Sequence, residues 1–141
     1  MLHWTDDLAV GHPTIDNDHK KLIEIINTFL DQSHSADNAT LMNNTLKSLL
    51  NYGVGHFERE EQIQRETNYP YTAMHNREHK VLIAQIKDMA NVYFIEKSRP
   101  LNTASIHELN NLLKIWLIDH IKKCDLNMRE WVDPNAEDVK D

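Results

Sequence analysis

The chain has 141 residues, of which 40% are hydrophobic, and a formal net charge of −7, which together suit a single domain with one core. The acidic balance leaves no basic stripe, so nucleic acid and anionic membrane surfaces are not expected partners. No apolar run approaches the roughly 18 residues of a membrane-spanning helix, and we expect no cleaved signal peptide. A single cysteine, Cys124, excludes an intramolecular disulfide and favours a cytoplasmic location.

Residues 1–15 show no periodicity, and we predict that they form an N-terminal arm packed over one end of the domain. The first helix is predicted to begin near Asp16, a residue type that caps helix N-termini. Apolar residues then follow at steps of three and four, and His19 occupies the first core position of that face. The polar segment 31–38 ends the helix.

The second helix is predicted to begin within 37–40 and contains the sequence HFEREE. His56 and Glu60 are four residues apart, so they lie on one face of the helix. We expect the adjacent Glu61 to be solvated. Pro70 disfavours helical geometry at the preceding residue and therefore ends the helix.

The third helix is predicted to begin near Thr72, with His75 and His79 again four residues apart, and to end at 98–100. The fourth helix is predicted to begin at 102–103.

The fourth helix carries His120 on its apolar face and continues through Asp125 to about Met128. Residues 129–141 are predicted to be a C-terminal tail. Four helices with short connections predict one all-α domain, an antiparallel up-down-up-down four-helix bundle.

Polar residues on inward faces identify the candidate site. A single histidine on an apolar face is usually a satisfied core residue, but a buried carboxylate requires a partner. The predicted interior holds no lysine or arginine to provide one. In the antiparallel arrangement, all the inward polar residues fall at the same end of the bundle: His19, His56, Glu60, His75, His79, His120 and Asp125.

These ligand types predict a dinuclear metal site of iron, manganese or zinc. Five imidazoles, two bridging carboxylates and one bridging oxide or hydroxide fill all but one position of two octahedral ions. One vacancy is suited to reversible binding of a small diatomic ligand.

Other residues with potential ligand atoms are assigned minor roles. Cys124 lies one turn after His120, and we interpret it as a small buried hydrophobe, with a thiolate ligand as the alternative. Four histidines fit no pattern and are predicted to be on the surface: His3, His12, His34 and His107.

The sequence resembles the bacteriohemerythrins of the hemerythrin family. The resemblance runs from Trp4, through Val10-Gly11 and the motif IDxxH, to HFEREE, HNREH and WLIDHIKKCD, and covers nearly the whole chain. It implies a centre of two iron ions with an oxo or hydroxo bridge, and dioxygen as the ligand. It also implies that one iron is bound by His75, His79 and His120, that the other is bound by His19 and His56, and that Glu60 and Asp125 bridge the two ions.

Gln64 departs from the family pattern, which usually has methionine or another apolar residue at this position. It lies one turn after Glu60, so we expect it to face the pocket at the open iron position. There a glutamine would hydrogen-bond a bound ligand, hold a water or coordinate iron. The alternative is that its side chain turns away to contact backbone.

The resemblance implies a non-enzymatic function, reversible dioxygen binding by an oxygen carrier, store or delivery protein. We expect a monomer, with an oxygen-consuming enzyme as the recipient. The alternatives are an oxygen or redox sensor and a di-iron peroxidase or oxidase. Carboxylate-rich di-iron oxidases use Glu-x-x-His pairs, which this sequence lacks.

Overall fold

The computed structural model describes residues 2–32 and 39–132, and within these ranges all regular elements are helical. Three long helices come first: α1 (Pro13–Gln32), α2 (Ala39–Glu66) and α3 (Thr72–Ala90). Helix α1 packs against α2, α2 against α3, and α1 also contacts the fourth helical segment. The predicted all-α four-helix bundle is confirmed.

The fourth segment is interrupted. It begins as α4 (Thr103–Lys114) and passes through a π-helical turn (Ile115–Asp119) into the short helix α5 (His120–Lys123). After a break at Cys124 it continues as a 3₁₀ turn and the helix α6, at Asp125–Met128 and Arg129–Val132. The predicted tail therefore begins with a helical turn. Helix α3 also ends in a π-helical turn, Asn91–Ile95.

Helix α1 begins at Pro13, three residues before the predicted start at Asp16. Proline is favoured at the first helical position because its fixed φ angle is already helical and it lacks an N–H that would need a partner. The Asp16 carboxylate instead accepts hydrogen bonds from the backbone N–H groups of Val10 and Gly11, at 2.8 and 3.1 Å. Asp16 thus holds the arm to α1.

The other helix starts agree more closely with the sequence. Helix α3 begins at Thr72 as predicted. Asn102 caps α4, and its side chain and that of Ser105 each accept the other's backbone N–H. Helix α2 ends at Glu66, four residues before Pro70. Most of the predicted break after α1 lies outside the described residues.

Two hydrophobic clusters fill the interior. The larger runs the length of the bundle between the four helical segments. The smaller, which we call the end cluster, closes the end where α1 starts and α2 finishes, and consists of Val10, Ile15, Ile63, Tyr69, Met128 and Val132. Four of these lie beyond the predicted helices: two in the predicted arm, one in the α2–α3 connection and one in α6.

Besides the contact with Asp16, two further sets of hydrogen bonds hold the arm to the bundle. The backbone of Leu2 exchanges two hydrogen bonds of 2.9 Å with the side chain of Asn27. Near the end cluster, the guanidinium of Arg129 donates to the carbonyl oxygens of Asp7 and Ala9. Across the described ranges, none of the helices is both long and apolar enough to cross a membrane.

Candidate metal centre

The seven residues selected from the sequence come together inside the bundle, next to the end cluster. All are buried, with exposed fractions between 0% and 5%. Their ligand atoms form two groups that share both carboxylates. We call these the three-histidine group (His75, His79 and His120) and the two-histidine group (His19 and His56).

Glu60 faces both groups, with a different oxygen toward each. Its Oε1 lies 3.2 Å from Nε2 of His75 and 3.1 Å from Nε2 of His79. Its Oε2 lies 3.0 Å from Nε2 of His56 and 3.6 Å from Nε2 of His19. The carboxylate thus stands between the groups.

Asp125 repeats this arrangement from the other side of the site. Its Oδ1 lies 2.7 Å from Nε2 of His75 and 3.0 Å from Nε2 of His120. Its Oδ2 lies 3.0 Å from Nε2 of His19. Both carboxylates therefore have the geometry expected of bridges between two positively charged centres.

The donor atoms fit metal ions better than they fit one another. Several are buried and near neighbours, yet have no aligned hydrogen bond within the described chain: Nε2 of His19, His56 and His120, Oε2 of Glu60 and Oδ2 of Asp125. Buried polar atoms without partners are costly, so their convergence requires an explanation. Imidazole nitrogens and carboxylate oxygens are a donor set that suits iron, manganese or zinc.

The electrostatics of the site also favour bound cations. Burial opposes protonation of His19, but its contacts with Asp125 and Glu60 outweigh this and raise its pKa to about 9. Burial likewise opposes protonation of His120, and the charge of Asp125 raises its pKa to about 11. Protons thus balance the two carboxylates when no metal is present, and cations would replace them.

Local helix geometry positions the last two ligands. A spacing of five residues does not return to the same face of a regular helix. The helix breaks at Cys124, where φ is −117°, before the 3₁₀ turn that begins at Asp125. This break allows Asp125 to reach the same site as His120. A π-helical turn also immediately precedes His120, and such turns are frequent at functional sites.

Asp18 is a residue of this site that the sequence analysis missed. Its Oδ2 lies 3.0 Å from Nδ1 of His56, on the side of the ring away from the carboxylates. Arg59 donates to both of its oxygens at 2.8 and 2.9 Å, and the hydroxyl of Tyr52 donates at 2.7 Å. Burial opposes ionisation, but these hydrogen bonds hold the pKa of Asp18 well below its usual range.

Glu61 is not simply solvated, as the sequence analysis expected. Its Oε2 lies 2.9 Å from Nδ1 of His79, and its side chain is 23% exposed. The ring of Phe57 stacks on the face of the His79 imidazole, with centroids 3.9 Å apart and an interplanar angle of 10°. His79 is therefore oriented by an acceptor at its edge and an aromatic ring on its face.

Gln64 is fully buried, and its amide lies beside the three-histidine group. Its Nε2 is 2.7 Å from Nδ1 of His75 and 3.0 Å from Sδ of Met128, while its Oε1 has no hydrogen-bond partner. These contacts differ from the backbone contact weighed as the alternative. The role of Gln64 toward a bound ligand stays a prediction.

Cys124 is half-buried rather than buried, and it lines a surface cleft together with His75 and Glu78. Its sulfur is near Glu78 and His120, outside the two groups that share the carboxylates. Of the predicted surface histidines, His3 and His107 are exposed and His12 is partly exposed, while His34 lies outside the described residues.

The family model for the Hemerythrin HHE cation binding domain matches residues 10–132. The chain belongs to the hemerythrin family. Family membership and the buried histidine–carboxylate cluster together indicate non-haem iron binding.

Relatives in this family come from bacteria and from amoebae. A bacteriohemerythrin of Pseudomonas paraeruginosa is 29% identical over 124 residues, covering 88% of this chain and 76% of the relative. A bacteriohemerythrin of Clostridium acetobutylicum is 27% identical, covering 94% of this chain and 100% of the relative. A hemerythrin-like protein of Naegleria gruberi is 28% identical and covers 91% of each chain.

The fold of the family is also seen in solved structures. A crystal structure of a wild-type hemerythrin superposes with a TM-score of 0.79 at 22% identity, covering 94% of this chain and 98% of the other. The bundle is therefore that of a hemerythrin.

Proposed function

We propose that this member of the hemerythrin family binds dioxygen reversibly at a non-haem di-iron centre. One observation carries the proposal: Glu60 and Asp125 each direct one oxygen toward the three-histidine group and the other toward the two-histidine group. A single ion would not need two carboxylates that are both divided in this way, whereas two ions sharing both carboxylates would.

In the proposed centre, His75, His79 and His120 would hold one iron, His19 and His56 would hold the other, and both ions would share Glu60 and Asp125, with an oxo or hydroxo group completing the centre. The two-histidine group supplies fewer ligands, so its iron would be the one that takes up dioxygen. The pair of ferrous ions would supply the two electrons needed to hold dioxygen.

The protein's own residues orient the ligands and keep water out. Asp18 and Glu61 hold the outer nitrogens of His56 and His79, which fixes those rings and makes them stronger donors. Phe57 packs against His79 and lies near Trp116, so one side of the site is aromatic. The end cluster covers the end of the bundle. A site shielded in this way favours ligand release over irreversible oxidation.

The proposed role is that of a carrier, store or delivery protein rather than an enzyme. Both carboxylates of the cluster contact histidines of both groups, so neither stands free as a general acid or base. A monomeric state, a cytoplasmic location and delivery to an oxygen-consuming enzyme stay predictions from the sequence.

The test is to load the full chain with ferrous iron under argon, measure the bound iron, and record absorption spectra through cycles of air and argon. We expect two irons per chain and an absorption band that appears with oxygen and disappears under argon. One iron per chain would contradict the dinuclear site. Two irons with irreversible oxidation in the first cycle would contradict reversible binding.

A pair of matched variants ties the result to the site. Glu60→Gln removes a shared carboxylate and should abolish binding of the second iron. Glu58→Gln makes the same chemical change at an exposed position of the same helix and should bind two irons normally. Equal iron content in the two variants would contradict the bridging role of Glu60.

A further inference from the structure

The outer nitrogens of the three-histidine group do not share one kind of partner. Nδ1 of His79 faces a carboxylate, Glu61, whereas Nδ1 of His75 faces the neutral amide of Gln64 at 2.7 Å. Nδ1 of His56, in the two-histidine group, also faces a carboxylate, Asp18. Gln64 is thus the uncharged one of these three partners, while Nδ1 of His19 and of His120 has no hydrogen-bond partner among the described residues.

The amide is confined to this contact by its surroundings. Gln64 has 0% exposure, and its nitrogen also meets Sδ of Met128 in the end cluster at 3.0 Å. The backbone carbonyl of Gln64 accepts a hydrogen bond from the N–H of Tyr69 at 2.9 Å. This bond fixes the backbone of Gln64 near the end of α2. A buried amide so constrained acts on the neighbouring ring rather than on solvent.

The polarity of this contact depends on what His75 Nε2 binds. Nε2 of His75 lies 2.7 Å from Oδ1 of Asp125, and its Nδ1 lies 2.7 Å from the amide nitrogen of Gln64. When Nε2 binds a metal, the proton must reside on Nδ1, which then becomes a donor. An amide N–H facing it would be a contact between two donors.

Glutamine can supply an acceptor for Nδ1–H because rotation of the terminal amide by 180° exchanges Oε1 and Nε2 in nearly the same space. Oε1 of Gln64 has no hydrogen-bond partner among the described residues, so it is available to accept. Glutamate would offer acceptors alone, and methionine, the usual residue of the family, would offer no strong partner.

We propose that Gln64 is the positioning residue of His75: its carboxamide oxygen accepts from Nδ1–H when Nε2 binds iron. Gln64 thereby holds the ring in the orientation that directs Nε2 toward the metal. Its neutral oxygen also leaves His75 a weaker donor than the two histidines with carboxylate partners. The inference rests on the proposed di-iron site and deepens it.

The test uses full-length, iron-loaded protein and compares Gln64→Met with Gln64→Glu, with Gln85→Met on the exposed face of α3 as the matched control. Proton NMR of the paramagnetic centre separates the N–H protons of iron-bound imidazoles from all others, and comparison of H₂O with D₂O identifies them. Chelator competition gives iron affinity, and electrochemistry gives the reduction potential.

Gln64→Met should shift or lose one imidazole N–H resonance and weaken iron binding by about 10- to 100-fold, the usual effect of removing a partner behind a metal ligand. Gln64→Glu should restore that resonance and the affinity, with a lower reduction potential because a carboxylate makes His75 a stronger donor. Gln85→Met should match the wild type in every measurement.

The outcomes separate this inference from the proposed function. Wild-type protein that takes up no iron would overturn both. Wild-type protein with two irons, whose imidazole N–H resonances are unchanged in Gln64→Met, would overturn the role of Gln64 alone. Failure of Gln64→Glu to restore the resonance would also overturn it, since any partner that accepts from Nδ1–H should suffice.

Discussion

Asp18 connects the two-histidine group to the surface of the bundle through a single carboxylate. It holds the outer nitrogen of His56, and Arg59 and Tyr52 hold it in turn. These hydrogen bonds link the partly exposed guanidinium of Arg59 to the buried ring of His56. The orientation of His56 therefore depends on residues that never touch the site's centre.

Asp18→Asn should lower iron affinity by about 10- to 100-fold, because an amide is a weaker acceptor for the His56 N–H and loses the ion pair with Arg59. Chelator competition measures the change. Asp31→Asn is the matched control on the exposed face of the same helix and should have no effect. Equal affinity in the two variants would mean that Asp18 does not support His56.

The oxygenated protein should lose its reversible absorption more slowly in Gln64→Met than in the wild type, because an apolar side chain admits less water to the site. The rate is followed optically in air, with Gln85→Met as the control. If both variants oxidise at the wild-type rate, the polarity of Gln64 does not govern autoxidation.

The seven buried residues of the candidate site could be selected from the sequence, whereas the carboxylates beside their outer nitrogens were missed. His56 and Glu60 are found by helical spacing alone, because both lie on one helix. Pairing Glu61 with His79 requires the relative position of α2 and α3, which local spacing does not contain. Asp18 did leave a signal, since Ile15, Asp18 and Leu22 are spaced three and four apart on the buried face of α1.

At the scale of helices, α2 contains two glycines close to the site, and they differ in what surrounds them. A Cβ added at Gly53 would lie 3.6 Å from Cη2 of Trp116, an ordinary contact. A Cβ added at Gly55 would lie 3.1 Å from Nη1 of Arg59, which holds Asp18. An added Cβ would therefore fit without rearrangement at Gly53, whereas at Gly55 the Arg59 side chain would have to shift.

Gly53→Ala should stabilise the protein by up to ~1 kcal/mol, since alanine favours a helix interior over glycine by about that amount. Gly55→Ala should gain less, because the guanidinium of Arg59 must shift and its hydrogen bonds to Asp18 weaken. Chemical denaturation of both variants measures the difference. A greater gain for Gly55→Ala would show that Arg59 is not constrained by Asp18.

Helix boundaries were predicted well where a cap or a proline marks them, as at Thr72 and Asn102. The start of α1 was placed too late because Asp16 resembles an N-cap, while its carboxylate is used to hold the arm. The π-helical turn before His120 has no sequence signal of its own. The break at Cys124, rather than this turn, serves the five-residue spacing of His120 and Asp125.

For the molecule as a whole, the charges of the site make the stability of the fold depend on pH and on bound metal. The pKa of His19 in the folded, metal-free protein is about 9, above the value of about 6.5 expected when unfolded. Its proton therefore stabilises the fold fully below pH 6.5, and this contribution is lost as the pH rises through 9. His120 acts in the same direction over a wider range, up to about pH 11.

The melting temperature of the metal-free protein should fall between pH 6.5 and 9, while that of the iron-loaded protein should change much less. Once iron replaces the protons, the two carboxylates stay compensated at either pH. Thermal melts of both forms at the two pH values provide the test. Parallel declines would show that these histidines do not balance Glu60 and Asp125.

The contact between His19 and Asp125 also has a consequence for biosynthesis. The ribosome delivers His19 early and Asp125 late, after nearly all the rest of the bundle has been made. A nascent chain therefore lacks one of the two shared carboxylates, however well α1, α2 and α3 have already associated. In the proposed di-iron form, the complete set of ligands exists only after residue 125 has been added, so iron capture follows the synthesis of nearly the whole chain.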